Sequence, residues 1–171
     1  MIPLRRFTAR VLPIDDQDRV LLLYGFDPAR PGERFWFTVG GALEGGETLQ
    51  QAAARELYEE VGIRAEVGEF TGPYGAGTVE FSFAEYAVTQ DQTFFAVRIG
   101  KGRGGEGQGG EGQGGEGQAE VSFENMEEIE KATTVGHRWW SAEELEATDE
   151  IVHPEDLARV LRRVTAGGAP A

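Results

Sequence analysis

Three glutamates stand close together in the stretch from Gly41 to Ile63, namely Glu56, Glu59 and Glu60. Residues three and four apart are neighbours on a helix surface, so this spacing places the carboxylates along one edge. Like charges this close destabilise a bare helix. Clustered carboxylate oxygens are, however, the hard ligands that Mg²⁺ or Mn²⁺ prefers, and Mg²⁺ uses few of them together with water and substrate phosphates. The spacing therefore indicates either a divalent-cation site or an acidic helix face that is simply solvated.

Further residues stand in register with these glutamates. They are Gly41, Glu47, Arg55 and Gly62, with aliphatic Leu57 and Ile63. Seven identities at fixed spacing are expected by chance on the order of once per million start positions. The stretch GALEGGETLQQAAARELYEEVGI resembles the Nudix box, which reads Gly, five residues, Glu, seven residues, then Arg-Glu-aliphatic-x-Glu-Glu-x-Gly-aliphatic. With all of these positions filled, the cation site is favoured over the solvated face.

The resemblance also implies a role for each residue of the motif. Glu56, Glu59 and Glu60 would bind Mg²⁺ or Mn²⁺ and carry the catalysis, with the backbone carbonyl of Gly41 as a further ligand. The rest of the motif would be structural: Arg55 would pair with Glu47, and Gly62 would complete the motif architecture.

Members of the family differ in which carboxylate acts as the general base. Glu56 is the first candidate because of its position in the motif. The second candidates lie in an acidic stretch nearer the C-terminus, and they are Glu124, Glu127 and Glu128.

A helix from Thr48 to Val61 must carry these carboxylates. The segment contains good helix formers and neither Pro nor Gly, and Thr48 can cap its N-terminus. Gly62 can adopt the left-handed conformation that commonly ends a helix. Apolar residues recur every four positions and predict a buried stripe, at Leu49, Ala53, Leu57 and Val61.

Composition restricts the partners of the chain. Its 171 residues carry a formal net charge of −14, which argues against non-specific binding of nucleic acid. A phosphorylated small molecule stays possible, because bound cations dominate the field inside a metal site. With no cysteine, no apolar run of membrane-spanning length and no apparent signal peptide, we expect a cytoplasmic protein away from membranes, either a monomer or a homodimer.

Strand-like segments surround the predicted helix on both sides. The predicted strands are 5–14, 20–24, 35–39, 65–70, 79–83, 86–90, 93–99 and 135–140, with a turn at 15–18, a loop at 28–33 and helices at 141–147 and 154–164. Together with the resemblance, this order predicts the Nudix fold, an α/β/α sandwich (α+β) with a mixed β-sheet. We expect residues 1–171 to form one domain, with a flexible Gly/Glu/Gln-rich loop at 100–120 that holds three GGEGQ repeats.

Residues that recognise the substrate are harder to find. Trp36 could stack on a nucleobase, although aromatic residues in strands are more often part of the core. Arg34 and Arg138 could bind phosphate, because a guanidinium fits phosphate oxygens in a bidentate manner, or they could simply be solvated.

The resemblance implies a divalent-metal-dependent pyrophosphohydrolase that cleaves the diphosphate linkage of a nucleoside diphosphate joined to a group X, of the nucleotide or ADP-sugar class. The alternative is a catalytically silent Nudix-fold module that binds nucleotides or has a regulatory role, but such modules typically have a degraded motif. The group X is not encoded in the motif. Markers known for some subfamilies, a proline or tyrosine about sixteen residues downstream, do not match, since position 79 is valine.

Overall fold

A computed structural model describes residues 1–100 and 119–167 of the chain. The three GGEGQ repeats at 104–118 lie outside the described residues, so the flexible loop predicted for 100–120 stays a prediction. The strands are β1 (Ile2–Ile14), β2 (Val20–Asp27), β3 (Arg30–Ala42), β4 (Thr71–Phe83), β5 (Tyr86–Arg98), β6 (Thr134–Trp140) and β7 (Val152–His153). The helices are α1 (Leu49–Val61), α2 (Glu128–Thr133), α3 (Ala142–Ala147) and α4 (Leu157–Thr165), with a short 3₁₀ helix at Val67–Glu69.

The strands form a mixed sheet in which β3 changes partner along its length. The strand order is β4-β5-β1-β2-β3-β7, and β6 pairs with β2. The first part of β3, residues 30–38, pairs antiparallel with β2, whereas residues 39–42 pair antiparallel with β1. β1 runs parallel to β5 over its whole length. Gly41, the first residue of the motif, therefore lies in the part of β3 that pairs with β1.

Two apolar layers fill the space between the sheet and the helices. One layer packs α1 against the sheet and includes Val11, Val39 and the buried stripe of α1. The other packs Leu157 and Leu161 of α4 against the opposite face. The predicted α/β/α sandwich with a mixed sheet is therefore confirmed.

Several local predictions were wrong. The strand predicted at 65–70 is a 3₁₀ turn, Val67–Glu69, because the Glu69 carboxylate accepts a hydrogen bond from the Glu66 N–H at 2.7 Å and closes the backbone into a turn. β4 begins directly after this turn, at Thr71, well before the strand predicted at 79–83.

Other strands are longer than predicted because pairing with a neighbouring strand extends them. The loop predicted at 28–33 is only a short turn before β3, and the three strands predicted between 79 and 99 are the long strands β4 and β5. α2 was not predicted, and α4 begins at Leu157 instead of Pro154.

Candidate metal centre

Local sequence determines both ends of α1. The Thr48 hydroxyl accepts a hydrogen bond from the Gln51 N–H at 3.1 Å, and the Gln51 side-chain carbonyl accepts one from the Thr48 N–H at 2.9 Å. This reciprocal pair satisfies backbone donors that a helix start leaves open. At the other end Gly62 adopts φ +73°, and its N–H donates to the Tyr58 carbonyl at 2.9 Å. The helix and both of its ends agree with the prediction.

Two glutamates of α1 meet a third from α2. One carboxylate oxygen each of Glu56, Glu60 and Glu130 lies within 4.8 Å of the others. Glu56 and Glu60 are buried, and Glu130 is partly buried. We call these three residues the carboxylate cluster. Converging carboxylates repel one another, and an all-oxygen donor set of this kind fits Mg²⁺ or Mn²⁺.

Glu59 lies beside the carboxylate cluster but is not a member of it. Its side chain is 38% exposed, and its Oε2 accepts a hydrogen bond from Arg55 Nη1 at 2.9 Å. The structure thus brings together two of the three predicted ligands. The role of Glu59 as a ligand stays a prediction.

Glu60 is held from the side of the sheet. Its Oε2 accepts a hydrogen bond from the Gly40 N–H at 2.7 Å. The Gly40 carbonyl in turn accepts from Arg10 Nη1 at 2.7 Å, and Arg10 Nε donates to the Thr38 hydroxyl at 3.0 Å. Arg10 is buried, so the backbone of a single residue, Gly40, connects a buried cation to a buried carboxylate.

Gly41 makes room for the Glu56 carboxylate. A Cβ atom at position 41 would lie 2.3 Å from Glu56 Oε1, which is far inside van der Waals contact. Any larger residue would displace that carboxylate from the carboxylate cluster. The predicted ligation of a cation by the Gly41 carbonyl is a separate matter and stays a prediction.

Arg55 binds the loop before α1 to the helix itself. Its Nε donates to Glu47 at 2.6 Å, and its Nη1 donates to both Glu56 and Glu59 at 2.9 Å. A further bond joins Nη2 to the Ala42 carbonyl at 2.9 Å. The predicted pairing of Arg55 with Glu47 is present, and Arg55 also orients Glu56.

Burial disfavours the charged form of each carboxylate in the cluster. It raises the pKa of Glu56 to about 7, against the opposing attraction of Arg55. Burial likewise raises the pKa of Glu60 well above its usual range and raises the pKa of Glu130. A bound divalent cation would reverse this effect, since it favours the ionised carboxylates. Without a cation, burial therefore favours the protonated carboxylates, whereas a bound cation would favour their ionised forms.

Glu130 is a member of the carboxylate cluster that the sequence did not reveal. The second candidates for the base were exposed instead, at Glu124, Glu127 and Glu128. Glu130 comes from the same acidic stretch, which was the available signal. The short helix α2 is what turns Glu130, and not its neighbours, toward α1.

The three weak candidates for substrate binding lie among β2, β3, β6 and α3. Trp36 is a core residue, stacked on Tyr24 with ring centres 4.4 Å apart. Arg34 is exposed, with its guanidinium carbon 6.0 Å from the same tyrosine ring. Arg138 forms an ion pair with Glu144. None of the three belongs to the carboxylate cluster, and their role in substrate binding stays a prediction.

The fold and the site together define a class of protein. A family model described as the NUDIX domain matches residues 4–164, and the chain therefore belongs to the Nudix hydrolase family. This confirms the family predicted from the motif.

Individual relatives agree with this assignment. A MutT-like protein of Streptomyces ambofaciens is 54% identical over 39 residues, which cover 23% of this chain and 25% of that protein. The crystal structure of a MutT protein from Methanosarcina mazei has a TM-score of 0.59 at 19% identity, covering 97% of this chain and 96% of that one. The dihydroneopterin triphosphate pyrophosphohydrolase of E. coli has a TM-score of 0.58 at 20% identity, covering 98% of this chain and 100% of that one. At such identities the two structures show a shared fold.

In the described part of the chain, no helix combines the length and the apolar composition needed to cross a membrane.

Proposed function

We propose that the protein is a divalent-metal-dependent pyrophosphohydrolase that cleaves the diphosphate linkage of a nucleoside diphosphate joined to a group X. The observation that carries this proposal is the carboxylate cluster. In it, Glu56 and Glu60 of the intact motif and Glu130 of α2 have carboxylate oxygens within 4.8 Å of one another. The intact motif favours an enzyme over a silent nucleotide-binding module.

Glu56, Glu60 and Glu130 would hold Mg²⁺ or Mn²⁺, and Glu59 and the Gly41 carbonyl stay proposed as further ligands. When bound, the cation neutralises the charge that develops on the diphosphate and lowers the pKa of water. The protein keeps its own ligands in place through Arg55, which orients Glu56 and Glu59, and through Gly40, which binds Glu60. Positioning of this kind accounts for much of the rate enhancement in enzymatic phosphoryl transfer.

The general base is proposed to be a carboxylate of the cluster. It accepts a proton as the water oxygen bonds to one phosphorus atom and the bridging P–O bond breaks. The products are two phosphomonoesters when X is linked through its own phosphate ester. Glu56 is the first candidate, because of its position in the motif and its place in the carboxylate cluster. Glu130 is the next candidate, because it belongs to the carboxylate cluster, whereas Glu124, Glu127 and Glu128 are exposed.

A nucleotide panel assayed with and without Mg²⁺ tests the proposal. We expect Mg²⁺-dependent release of phosphomonoester from at least one nucleoside diphosphate derivative. Glu60→Gln should lower kcat about 100-fold or more with a normally folded protein, because the cluster loses a charged ligand. Glu155→Gln changes an exposed glutamate that precedes α4; it is the matched control and should behave as wild type.

Binding of nucleotides with no cleavage of any compound in the panel would instead support the silent module. Near-wild-type turnover of Glu60→Gln at saturating Mg²⁺ would remove Glu60 from the proposed ligands.

A cytoplasmic location and a monomeric or homodimeric state are also proposed, in line with a diffusible nucleotide substrate. Light scattering on a size-exclusion column measures the oligomeric state directly.

A further inference from the structure

Strand register gathers a continuous set of side chains on one face of β1, β5 and β4. Residues paired directly across neighbouring strands share a face of the sheet. The paired rows are Leu4–Val88–Phe81 and, next to it, Arg6–Gln90–Val79. Arg10 follows on the same face of β1, since side chains alternate along a strand. We call this surface, formed by the two rows, the Arg6 face.

Arg6 offers an open donor edge beside the carboxylate cluster. Its Nε donates to Gln90 Oε1 at 2.8 Å. The charges of Glu56, Glu60 and Glu130 act on its guanidinium, yet in the described part of the chain Arg6 forms no ion pair with them. Its two Nη groups have no acceptor among the described residues.

Gln90 holds Arg6 in this position. It is buried, and its Nε2 donates to Gln92 Oε1 at 3.1 Å, so the side chain is fixed on both sides. A guanidinium held in this way loses little conformational freedom when it binds a ligand. Arg6 is therefore organised for bidentate binding of an anion before the anion arrives.

One row farther from Arg10, the Arg6 face becomes apolar. Phe81 is 38% exposed and Leu4 is also exposed, and buried Val88 lies between them in the same row. The Arg6 guanidinium carbon is 6.0 Å from the centre of the Phe81 ring. Successive rows on one face are about 6.6 Å apart along a strand, a distance that a ribose can bridge between a phosphate and a base.

The opposite face of β1 provides a contrast. Phe7 is an exposed aromatic residue there, but the neighbouring cation Arg5 already donates to Asp91 through Nε at 3.0 Å and Nη2 at 2.8 Å. An aromatic ring and an open guanidinium edge therefore occur together on the Arg6 face and not around Phe7.

We propose that a nucleoside diphosphate moiety lies along the Arg6 face, with its phosphate oxygens bound by the Nη edge of Arg6 and its base against Phe81. This inference rests on the proposed function, because the carboxylate cluster is taken as the place of cleavage. It narrows the substrate class to diphosphates with an aromatic base that lies on the Arg6 face.

Three variants and two probes separate the phosphate contact from the base contact. The first probe is the compound cleaved fastest among ATP, GTP, CTP, UTP and ADP-ribose, and the second is inorganic tripolyphosphate, used as a base-free competitive inhibitor. Arg6→Gln should raise both the KM of the nucleotide and the Ki of tripolyphosphate about tenfold or more. Arg6→Lys should recover part of this loss, since it keeps the charge without the bidentate edge. Phe81→Ala should raise the KM about tenfold and leave the Ki of tripolyphosphate unchanged.

Matched controls come from the opposite face of β1. Arg5→Gln removes the same charge and Phe7→Ala the same ring, and both should leave KM and Ki at their wild-type values. Equal effects of Arg5→Gln and Arg6→Gln would overturn the phosphate contact, since only the overall charge would then matter. A raised KM in Phe7→Ala with none in Phe81→Ala would place the base on the opposite face and overturn the proposal.

Calorimetric titration of ADP in the presence of Mg²⁺ separates this inference from the proposed function. A wild-type protein that cleaves nothing would overturn the proposed function alone, provided that Arg6→Gln still weakens ADP binding about tenfold relative to Arg5→Gln. Absence of ADP binding by the wild type, or equal binding by all of these variants, would overturn the inference even where hydrolysis is normal.

Discussion

Two arginines of this molecule each bind more than one glutamate, in very different surroundings. Arg55 binds Glu47 and Glu59 at 2.6 and 2.9 Å and has a side chain that is 19% exposed. Arg162 of α4 binds Glu146 and Glu143 of α3 at 2.9 and 3.3 Å and is 48% exposed. The chemistry of the two networks is the same, and burial is what distinguishes them.

The contrast separates an ionic network that lies next to the candidate site from one that lies at the protein surface. Exposed ion pairs are screened by water and salt and contribute little to stability. Around Arg55 the desolvation of the charges is costly, and removing one partner leaves the others unpaired in a poorly solvated place. A fold that keeps such a costly network next to a cluster of carboxylates with raised pKa values has the features expected of a reaction site.

The largest effect that we expect is a decrease in the free energy of unfolding of the metal-free protein as the pH rises. The pKa of Glu56 is raised from 4.5 to about 7 in the folded protein. Between these values the unfolded chain has released its proton while the folded protein keeps it, so stability falls as the pH rises through this window. The full difference is of order 3 kcal/mol.

Melting temperatures between pH 4.5 and 7.5, in EDTA and in Mg²⁺, measure this effect. The fall should be present in EDTA, smaller in Mg²⁺, and smaller in Glu56→Gln than in the wild type, where Glu60 and Glu130 still contribute. An identical pH profile for wild type and Glu56→Gln in EDTA would contradict the raised pKa.

The next largest effect should follow from removing the partly buried Arg55. Arg55→Met leaves Glu47, Glu56 and Glu59 without their shared donor, and we expect a loss of about 2 kcal/mol in the free energy of unfolding. Because Glu56 also loses its orientation, kcat should fall as well. Urea unfolding together with steady-state kinetics checks both parts, and a variant with wild-type stability would contradict the structural role of Arg55.

How well the sequence predicted the fold depended on whether local signals agreed. α1 was predicted at both ends because Thr48, the apolar stripe and Gly62 all indicate the same helix. The strand predicted at 65–70 was wrong because the residue types of this segment are compatible with a strand or a turn. The hydrogen bond between Glu66 and Glu69 stabilises the turn. Antiparallel pairing with the next strand, β5, decided the bounds of β4, and the residue types of the segment alone do not report such pairing.

The site was predicted where it is local in sequence and missed where it is assembled in space. Glu56, Glu60 and Arg55 are visible in the motif itself. Glu130 was hidden because α2 has only six residues, too few to show a helical period. Arg10 sits in an alternating strand, where a charged residue is expected to face solvent, and only the packing of β3 and α1 shows that it is buried.

A smaller effect should distinguish two glutamates at the start of α2. Glu130→Gln removes a carboxylate from the cluster, and we expect kcat to fall about tenfold, or about 1.4 kcal/mol in transition-state stabilisation. Glu127→Gln, in the exposed position just before α2, should leave kcat unchanged. Steady-state kinetics at saturating Mg²⁺ tests the pair, and equal rates for the two variants would remove Glu130 from the site.

The smallest effect should come from the exposed arginine, which makes it the strictest test of the contrast. Arg162→Met removes the ion pairs between α3 and α4, and at 0.15 M salt we expect no measurable change in melting temperature because water and ions screen them. At about 0.01 M salt the Debye length rises to about 30 Å, so a small destabilisation should then appear. Thermal scans of Arg162→Met and Arg55→Met at both salt concentrations compare the two networks directly. A loss for Arg162→Met as large as that for Arg55→Met at 0.15 M salt would mean that ion-pair geometry, and not burial, sets the strength of both networks.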